Sequence, residues 1–371
     1  MSKKKICFIA QFPPPMHGLS KAVDTLYHSG LNSDISPDGA FEFEKVDITN
    51  NRNIIRHLVQ IKKSRADLFY FTISQTRGGN IRDLLIFKLL SMQKKKCVIH
   101  LHGGYYRQLV DQDMAGWQRK ANYRAIGQLA GAIVLSDSLR SIFQGMISEN
   151  KIHVVHNCVD DEFILSETEF AEKMEALRTK PVLHVLYLSN FIRTKGYPAV
   201  LEMAKTEKDR VLAGGEKRFH FDFAGKFFEE AERQLFEDYI RKNELEKFVT
   251  YHGIVGGQEK KSLLEQCDIF ALPTRYPNEG QPISILEAMG NGMTIITTDH
   301  AGIPDIVQNG VNGMIFGHDV SAAEIYQRML ESNTDTRIRQ GKENYIACRE
   351  RFSKRAYLNA IQKIFTEELN V

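Results

Sequence analysis

One stretch constrains this chain more than any other. It runs from Asp268 to Asp305 and reads DIFALPTRYPNEGQPISILEAMGNGMTIITTDHAGIPD. Its punctuation predicts strand, loop, helix, strand, loop. Ile269 to Leu272 is a short apolar run that Pro273 ends. Ile283 to Met289 is spaced as a helix with Leu286 and Met289 facing a core, and Asn291-Gly292 is its stop. Thr294 to Thr298 is β-branched and reads as the next buried parallel strand. The junction of loop and helix carries the chemistry. A helix start leaves N–H groups unpaired and carries partial positive charge. The Gly280-Gln281 turn lets bare backbone approach whatever sits there, and Pro282 supports the helix start. These are the features of a phosphate site.

Two carboxylates bracket that junction, Glu279 before the helix and Glu287 within it, eight positions apart. Acids do not help a phosphate, so their partners are hydroxyls, and the ligand expected here is a phosphate carrying sugars. Surface acids in and before an amphipathic helix are also common, so spacing alone leaves both readings open. The pattern Glu279-x7-Glu287, followed by Ala288-Met289-Gly290 and Gly302-Ile303-Pro304-Asp305, resembles the nucleotide-sugar site of the retaining glycosyltransferases of family 4. It departs from that family at Met293-Thr294, where a proline often follows the glycine.

The resemblance implies the α/β GT-B fold, two Rossmann-like α/β/α domains facing across a deep cleft. It places an acceptor-binding domain over residues 1–178, joined by a last helix near 352–371, and a nucleotide-sugar domain over 179–351. It implies that Glu287 accepts from ribose hydroxyls and that Glu279 holds hydroxyls of the transferred sugar. The N–H groups from Gly280 and Gln281 to Ile283 would stabilise the leaving diphosphate; Pro282 has none. No Asp-x-Asp motif stands beside these loops, so no essential metal and no cofactor are expected.

The rest of the chain fits a two-domain enzyme. Its 371 residues suffice for two domains of ordinary size. Hydrophobic content of 43% and charged content of 26% are those of a globular protein, and a net charge of +3 makes no case for nucleic acid. No run reaches the length of a membrane span, and the apolar run Ile6–Ala10 is too short for a signal peptide. Five scattered cysteines fit a reducing cytosol rather than disulfides or a metal cluster. Lys5 to Gln11 predicts a first buried strand, and a proline-stiffened loop carrying His17 and Gly18 leads to a helix, the opening of a βαβ unit. The dinucleotide fingerprint G-x-G-x-x-G is absent. Ile54–Lys63 predicts a helix with Ile55, Leu58 and Ile61 inward and a basic outer side. Such faces are usually just solvated, although they also suit an anionic membrane surface.

Cys97 to Leu101 predicts the fourth strand, and His102-Gly103-Gly104-Tyr105-Tyr106-Arg107 follows at its C-terminal end, where open α/β sheets bind ligands. His102 matches the family histidine that contacts the transferred sugar, while His100 points behind the sheet by alternation. Tyr105, Tyr106, Arg107 and His17 are candidates for the acceptor wall, and Gly18 matches the family glycine near donor phosphate. Ser136-Asp137-Ser138 is expected to cap a helix over Leu139–Met146. Asn157 is the residue expected to take any left-handed position in the turn Asn157-Cys158-Val159-Asp160.

The pattern restarts at Val182–Leu188. The following loop holds Asn190, Arg193 and Lys195 before a helix at Tyr197, and cations before a helix start suit a diphosphate. Lys195-Gly196 matches the family motif; Asn190 stands where the family has arginine, and Arg193 lies three positions later. The resemblance implies a nucleobase against the loop Gly253–Gly257, where Ile254 or Val255 would support it. The function expected is retaining transfer of a hexose or N-acetylhexosamine from a nucleotide diphosphate sugar to a saccharide or lipid-linked acceptor in bacterial surface polysaccharide synthesis. UDP is favoured over GDP by prevalence alone. The expected location is the cytoplasm, with peripheral contact at the inner membrane as a further reading. The alternatives are a nucleotide-sugar epimerase or hydrolase of the same fold and a non-catalytic partner that binds nucleotide sugar or protein. Donor turnover against donor binding separates them.

Overall fold

The structure, a computed structural model, describes residues 3–14 and 18–370. Its chain divides into two compact units, residues 1–158 with 278–281 and 354–371, and residues 159–277 with 282–353. Each is built on six parallel strands.

In the first unit the strands are β1 (Lys4–Ala10), β2 (Phe41–Asp47), β3 (Leu68–Thr72), β4 (Lys96–His100), β5 (Gly131–Val134) and β6 (Ile152–Val154), arranged β2-β1-β3-β4-β5-β6. All five residues of β3 are buried, which is possible only when both faces of a sheet are covered. The register places Cys7 between Glu44 of β2 and Phe69 of β3. The helices are α1 (Gly18–Tyr27), α2 (Ile54–Lys63), α3 (Arg77–Met92), the single turn α4 (Tyr106–Gln108) and α5 (Gly116–Ile126). His17 lies outside the described residues.

The second unit opens with α6 (Glu167–Ala176), held at its start by a capping box between Ser166 and Glu169. Its strands are β7 (Leu183–Leu188), β8 (Phe219–Ala224), β9 (Val249–Tyr251), β10 (Ile269–Leu272), β11 (Thr294–Thr298) and β12 (Gly313–Phe316). Between and after them run α7 (Tyr197–Leu212), α8 (Glu230–Lys242), α9 (Gly257–Gln266), α10 (Ile283–Gly290), α11 (Ala322–Glu331) and α12 (Thr334–Arg351). The order β12-β11-β10-β7-β8-β9 puts the reversal of strand sequence between β7 and β10. In β8 the alternation of Phe219, Phe221 and Phe223 sends three rings into one core. The opposite face of this edge is polar: buried Asp222 lies 2.7 Å from His184 Nδ1 and 2.8 Å from His252 Nε2.

The chain ends in α13 (Lys354–Leu369), which packs in the first unit. Tyr357, Ile361, Ile364 and Phe365 are its buried stripe. The Phe365 ring sits 6.4 Å from Phe8, 5.8 Å from Phe41 and 5.8 Å from Tyr70, in each case nearly edge-on, the arrangement the ring quadrupole favours.

Several local expectations need correction. Residues 159–178 belong with the second unit rather than the first: Phe163 and Leu177 lie in its core. The last helix starts at Lys354 because Phe352 is buried in the second unit's core. In α2, Ile55 faces solvent and His57 takes the inward place beside Ile61. Ser138–Phe143 is a 3₁₀ stretch with no side-chain cap at Asp137. Asn157 has no left-handed backbone; its polar groups hold another segment of the chain.

Phe365→Ala removes a fully buried ring from three aromatic neighbours and is expected to cost about 3–5 kcal/mol. Urea unfolding of the two proteins checks this, and a loss under 1 kcal/mol would contradict the assignment of α13 to this core.

Candidate active site

In the first unit the site grows from the C-terminal end of β4. His100 is the last residue of that strand and is fully buried. Its Nδ1 lies 2.6 Å from the Tyr70 hydroxyl. The expectation that His100 points behind the sheet needs correction: alternation sends Leu101 away and brings His102 back to the same side as His100, so the two imidazoles lie 3.9 Å apart between ring centroids. His102 is partly accessible as a residue, but its Nε2 is buried and has no hydrogen-bond partner. Burial lowers its pKa to about 3, and burial, with His102 as neighbour, holds His100 well below the ordinary value. Both rings are therefore neutral near pH 7. A neutral imidazole with an unused nitrogen is suited to a hydroxyl rather than to a carboxylate or phosphate.

Glycine is obligatory at the two positions that follow from this packing. A Cβ on Gly103 would meet the Gln75 amide at 2.1 Å and the Asn278 carbonyl at 2.7 Å. A Cβ on Gly280 would meet the Gly103 Cα at 2.9 Å and the His102 carbonyl at 3.1 Å. The turn that contains Glu279 thus lies backbone to backbone against His102-Gly103, and Glu279 itself is buried. Gln281 anchors this turn. Its Oε1 accepts from the Asn157 backbone N–H at 2.7 Å, its carbonyl accepts from Asn157 Nδ2 at 2.9 Å, and its Nε2 donates to the Leu135 carbonyl at 3.1 Å. The Gln281 side chain is engaged inside the protein, so only its backbone remains for a ligand. This also explains Asn157: it clamps the turn.

The expected acceptor wall is not one surface. Tyr106 is fully buried, and its hydroxyl donates to Asn122 Oδ1 at 2.8 Å. Arg107 pairs with Asp111 at 2.7 Å and donates to the Gln144 carbonyl. Tyr105 stays half-exposed, with its hydroxyl on Asp113 at 2.5 Å. Tyr106 and Arg107 therefore shape the loop from within, and among the described residues Tyr105 is the wall candidate whose ring stays partly exposed. Gly18 is the exposed first residue of α1.

In the second unit the loops after β7 and β10 flank the point where strand order reverses, the usual ligand position in such sheets. They are knit together. Arg275 N–H donates to the Thr194 carbonyl at 2.6 Å. Gly196 has φ +90°, and a Cβ there would strike the Pro273 carbonyl at 2.3 Å, so no other residue fits. Lys195, half-buried, has its Nζ 5.0 Å from the Tyr276 ring centroid. Arg193 behaves differently: it is exposed and its guanidinium pairs with Glu232 of α8 at 3.2 Å. Glu232 also takes the hydroxyl of Tyr197. Lys195 thus lies at the loop junction beside Tyr276, while Arg193 is drawn away to Glu232. Asn190 is exposed at the end of β7, and Ile254 is exposed in the loop after β9.

Helix α10 starts at Ile283 with Pro282 as its cap residue. Ile283 and Ser284 are its only residues with appreciable exposure, so its N-terminus is the part a ligand can reach. Glu287 is buried one turn in, and Lys260 Nζ of α9 lies 2.6 Å from both its oxygens. The Lys260 ammonium also sits 4.5 Å from the Phe163 ring centroid. Sequence reasoning missed this lysine, which reads there as one of several charges on a polar helix. It missed Gln75 and Tyr70 for the same reason: nothing local marks them.

The comparisons with known proteins show the family and the fold. A family model described as glycosyl transferases group 1 matches residues 169–355. A protein of Klebsiella pneumoniae, named an uncharacterized 41.2 kDa protein in the cps region, is 23% identical over 316 residues, 82% of this chain and 80% of that one. The amylovoran biosynthesis glycosyltransferase AmsK of Erwinia amylovora is 27% identical over 159 residues, 41% of this chain and 37% of its own length. The crystal structure of Anabaena HepE in complex with UDP superposes with a TM-score of 0.72 at 15% identity, covering 98% of this chain and all of that one, 100%. The likeness is one of fold, and that fold is GT-B.

Two outcomes follow from the electrostatics. Lys260→Ala leaves Glu287 buried and unpaired and is expected to cost about 3 kcal/mol, most of which Glu287→Gln restores in the double variant. Additive losses in that cycle would show that the pair does not couple. His102 is neutral when folded but binds a proton near pH 6.5 when unfolded. The unfolded chain therefore binds more protons between pH 6.5 and about 3, and stability is lost as pH is lowered through that window, by up to about 1.4 kcal/mol per pH unit from this group. A His102 NMR titration midpoint near 6.5 would contradict it.

Proposed function

We propose that this chain, which belongs to the glycosyl transferases group 1 family, is a retaining enzyme of glycosyltransferase family 4. It moves a hexose or N-acetylhexosamine from a UDP-sugar to a saccharide or lipid-linked saccharide of a bacterial surface polysaccharide. The observation that carries this reading is the neutral His102 with its unpartnered, buried Nε2, lying against the Glu279-Gly280 turn. That pairing of an uncharged imidazole with a buried carboxylate recognises hydroxyls. The Glu279-x7-Glu287 spacing then supplies the second carboxylate for the ribose.

Lys195 and the α10 N-terminus are the groups suited to the diphosphate, where negative charge grows as the glycosidic bond breaks. The anomeric C–O bond cleaves with its electron pair going to the phosphate oxygen. The acceptor hydroxyl forms the new bond to the anomeric carbon on the same face, and its proton passes to that phosphate oxygen. No enzyme nucleophile is used, so no second displacement occurs. Lys195 and the helix start carry the charge stabilisation that a metal would otherwise supply.

The choice of UDP is supported by HepE, whose crystals contain UDP and, in another form, UDP-glucose. The polysaccharide context is supported by the names of relatives in amylovoran and colanic acid biosynthesis and in a cps region. No helix among the described residues is long and apolar enough to cross a membrane, so a lipid-linked acceptor would be met from the membrane surface.

The deciding experiment is a donor survey by release of free nucleoside diphosphate. One UDP-sugar is expected to turn over slowly without acceptor, unchanged by EDTA. Lys195→Ala and Glu279→Ala are each expected to lower that turnover about 10²-fold, the usual loss of one transition-state contact. Turnover that needs a divalent cation would reject the metal-free mechanism. Failure of every UDP- and GDP-sugar to bind would reject the transferase and leave a protein-binding role.

A further inference from the structure

Helices α2, α3 and α5 lie side by side in the first unit, α3 touching both others, and their outward surfaces are unusual in two ways. The first is exposed apolar bulk. Ile55 is 77% exposed, Met92 69% and Trp117 61%. Ile81, Leu85, Met92 and Trp117 line one groove of about 520 Å³ between α3 and α5, with Lys88 and Arg124 at its sides. Large exposed apolar patches on a folded chain mark a surface that something else covers.

The second is the charge. Together the three helices expose eight Lys and Arg side chains: Arg56, Lys62, Lys63, Arg77, Lys88, Arg119, Lys120 and Arg124. They contain one carboxylate, Asp83, and it is buried against Arg82 at 2.7 Å. Among the described residues none of the eight pairs with a carboxylate. Lys94, Lys95 and Lys96 follow directly on the turn after α3. The whole chain carries only +3, so this is segregation rather than bulk charge. Helix α8 of the second unit shows the ordinary case, with Glu230, Glu232, Glu237 and Asp238 among Arg233, Arg241 and Lys242.

Apolar side chains interleaved with long, unpaired cations, and no acid to set a register, match a surface that is negative, fluid and without fixed geometry. We propose that this face of α2, α3 and α5 docks on a bilayer containing anionic phospholipid. Trp117 and Met92 would enter the headgroup boundary while the lysines and arginines meet phosphates. No apolar spanning helix is required for this mode of binding. The proposal deepens the lipid-linked acceptor reading above by naming how the enzyme meets that acceptor's membrane. Its test involves neither donor nor acceptor, so the two can fail separately.

Trp117 is the only tryptophan of the sequence, and its emission reports on this face without a label. The full chain is titrated with vesicles of phosphatidylcholine alone and with vesicles of equal parts phosphatidylcholine and phosphatidylglycerol. On the mixed vesicles the emission is expected to shift to the blue and to be quenched by brominated acyl chains; on phosphatidylcholine alone it is expected not to change. Each lysine near an anionic surface contributes about fivefold to binding, so a variant with Lys62, Lys63, Lys88 and Lys120 each replaced by Gln should bind more than tenfold more weakly. Its circular dichroism and donor turnover in solution should equal those of the unaltered chain. Three results would overturn the proposal. One is no binding to mixed vesicles. Another is binding in which Trp117 stays accessible to aqueous iodide, which assigns the contact to another surface. The third is a concentration-dependent blue shift without vesicles, which assigns the face to a second copy of the chain.

Discussion

The candidate site residues of the first unit depend on one close approach of backbone to backbone, Gly280 against His102-Gly103. No side chain fits at either glycine, because the opposing groups are main-chain atoms and the amide of Gln75. That contact lets Asn278–Gln281 pack with the first unit although residues on either side of it belong to the second. Asn157 closes it by donating two hydrogen bonds to Gln281, one to its side-chain oxygen and one to its carbonyl. Once the turn is held, Glu279 must be buried beside a strand end whose histidine is already desolvated. Chemistry there is preset before any ligand arrives, which is how a site avoids reorganisation during reaction.

The second unit reaches the same end by charge rather than by close packing. Glu287 is buried, and its carboxylate is tolerable only because Lys260 stands at 2.6 Å with its stem across Phe163. Lys195 is held over a junction of two loops that Gly196 makes possible. Arg193, two residues earlier, is drawn to Glu232. Two cations that look equivalent in the loop thus have different surroundings: Arg193 is tied to α8, and Lys195 lies over the Tyr276 ring.

The two outer surfaces differ for a related reason. Helices of the second unit balance their charges locally, as α8 does, and such faces interact with water. The α2, α3 and α5 face balances nothing locally. Eight exposed cations around Trp117, Met92 and Ile55 repel one another, and an external negative surface, such as the anionic bilayer proposed above, would relieve that repulsion.

Much was legible in the sequence by itself. The strands of both units, the βαβ rhythm and the loop-to-helix junction at Gly280–Ile283 follow from period, punctuation and spacing, which are local. His102 was not separable from His100 by alternation, because residues two apart on a strand share a face, and the two rings lie 3.9 Å apart. What sequence could not decide was every property set by a partner far along the chain. Tyr106 and Tyr105 are adjacent and alike in composition, yet one is core and the other is not, because Asn122 lies beneath Tyr106. Lys260 becomes the counter-ion of Glu287, and Gln281 becomes a clamp rather than a ligand contact, only through residues brought near by folding. Ile55 turns outward although its helix has a clear period, since the neighbouring helix and sheet leave room for His57 instead. Local sequence determines which conformation a segment prefers. Burial and pairing, which set protonation and availability for chemistry, belong to the tertiary structure because desolvation is a property of everything that surrounds a group.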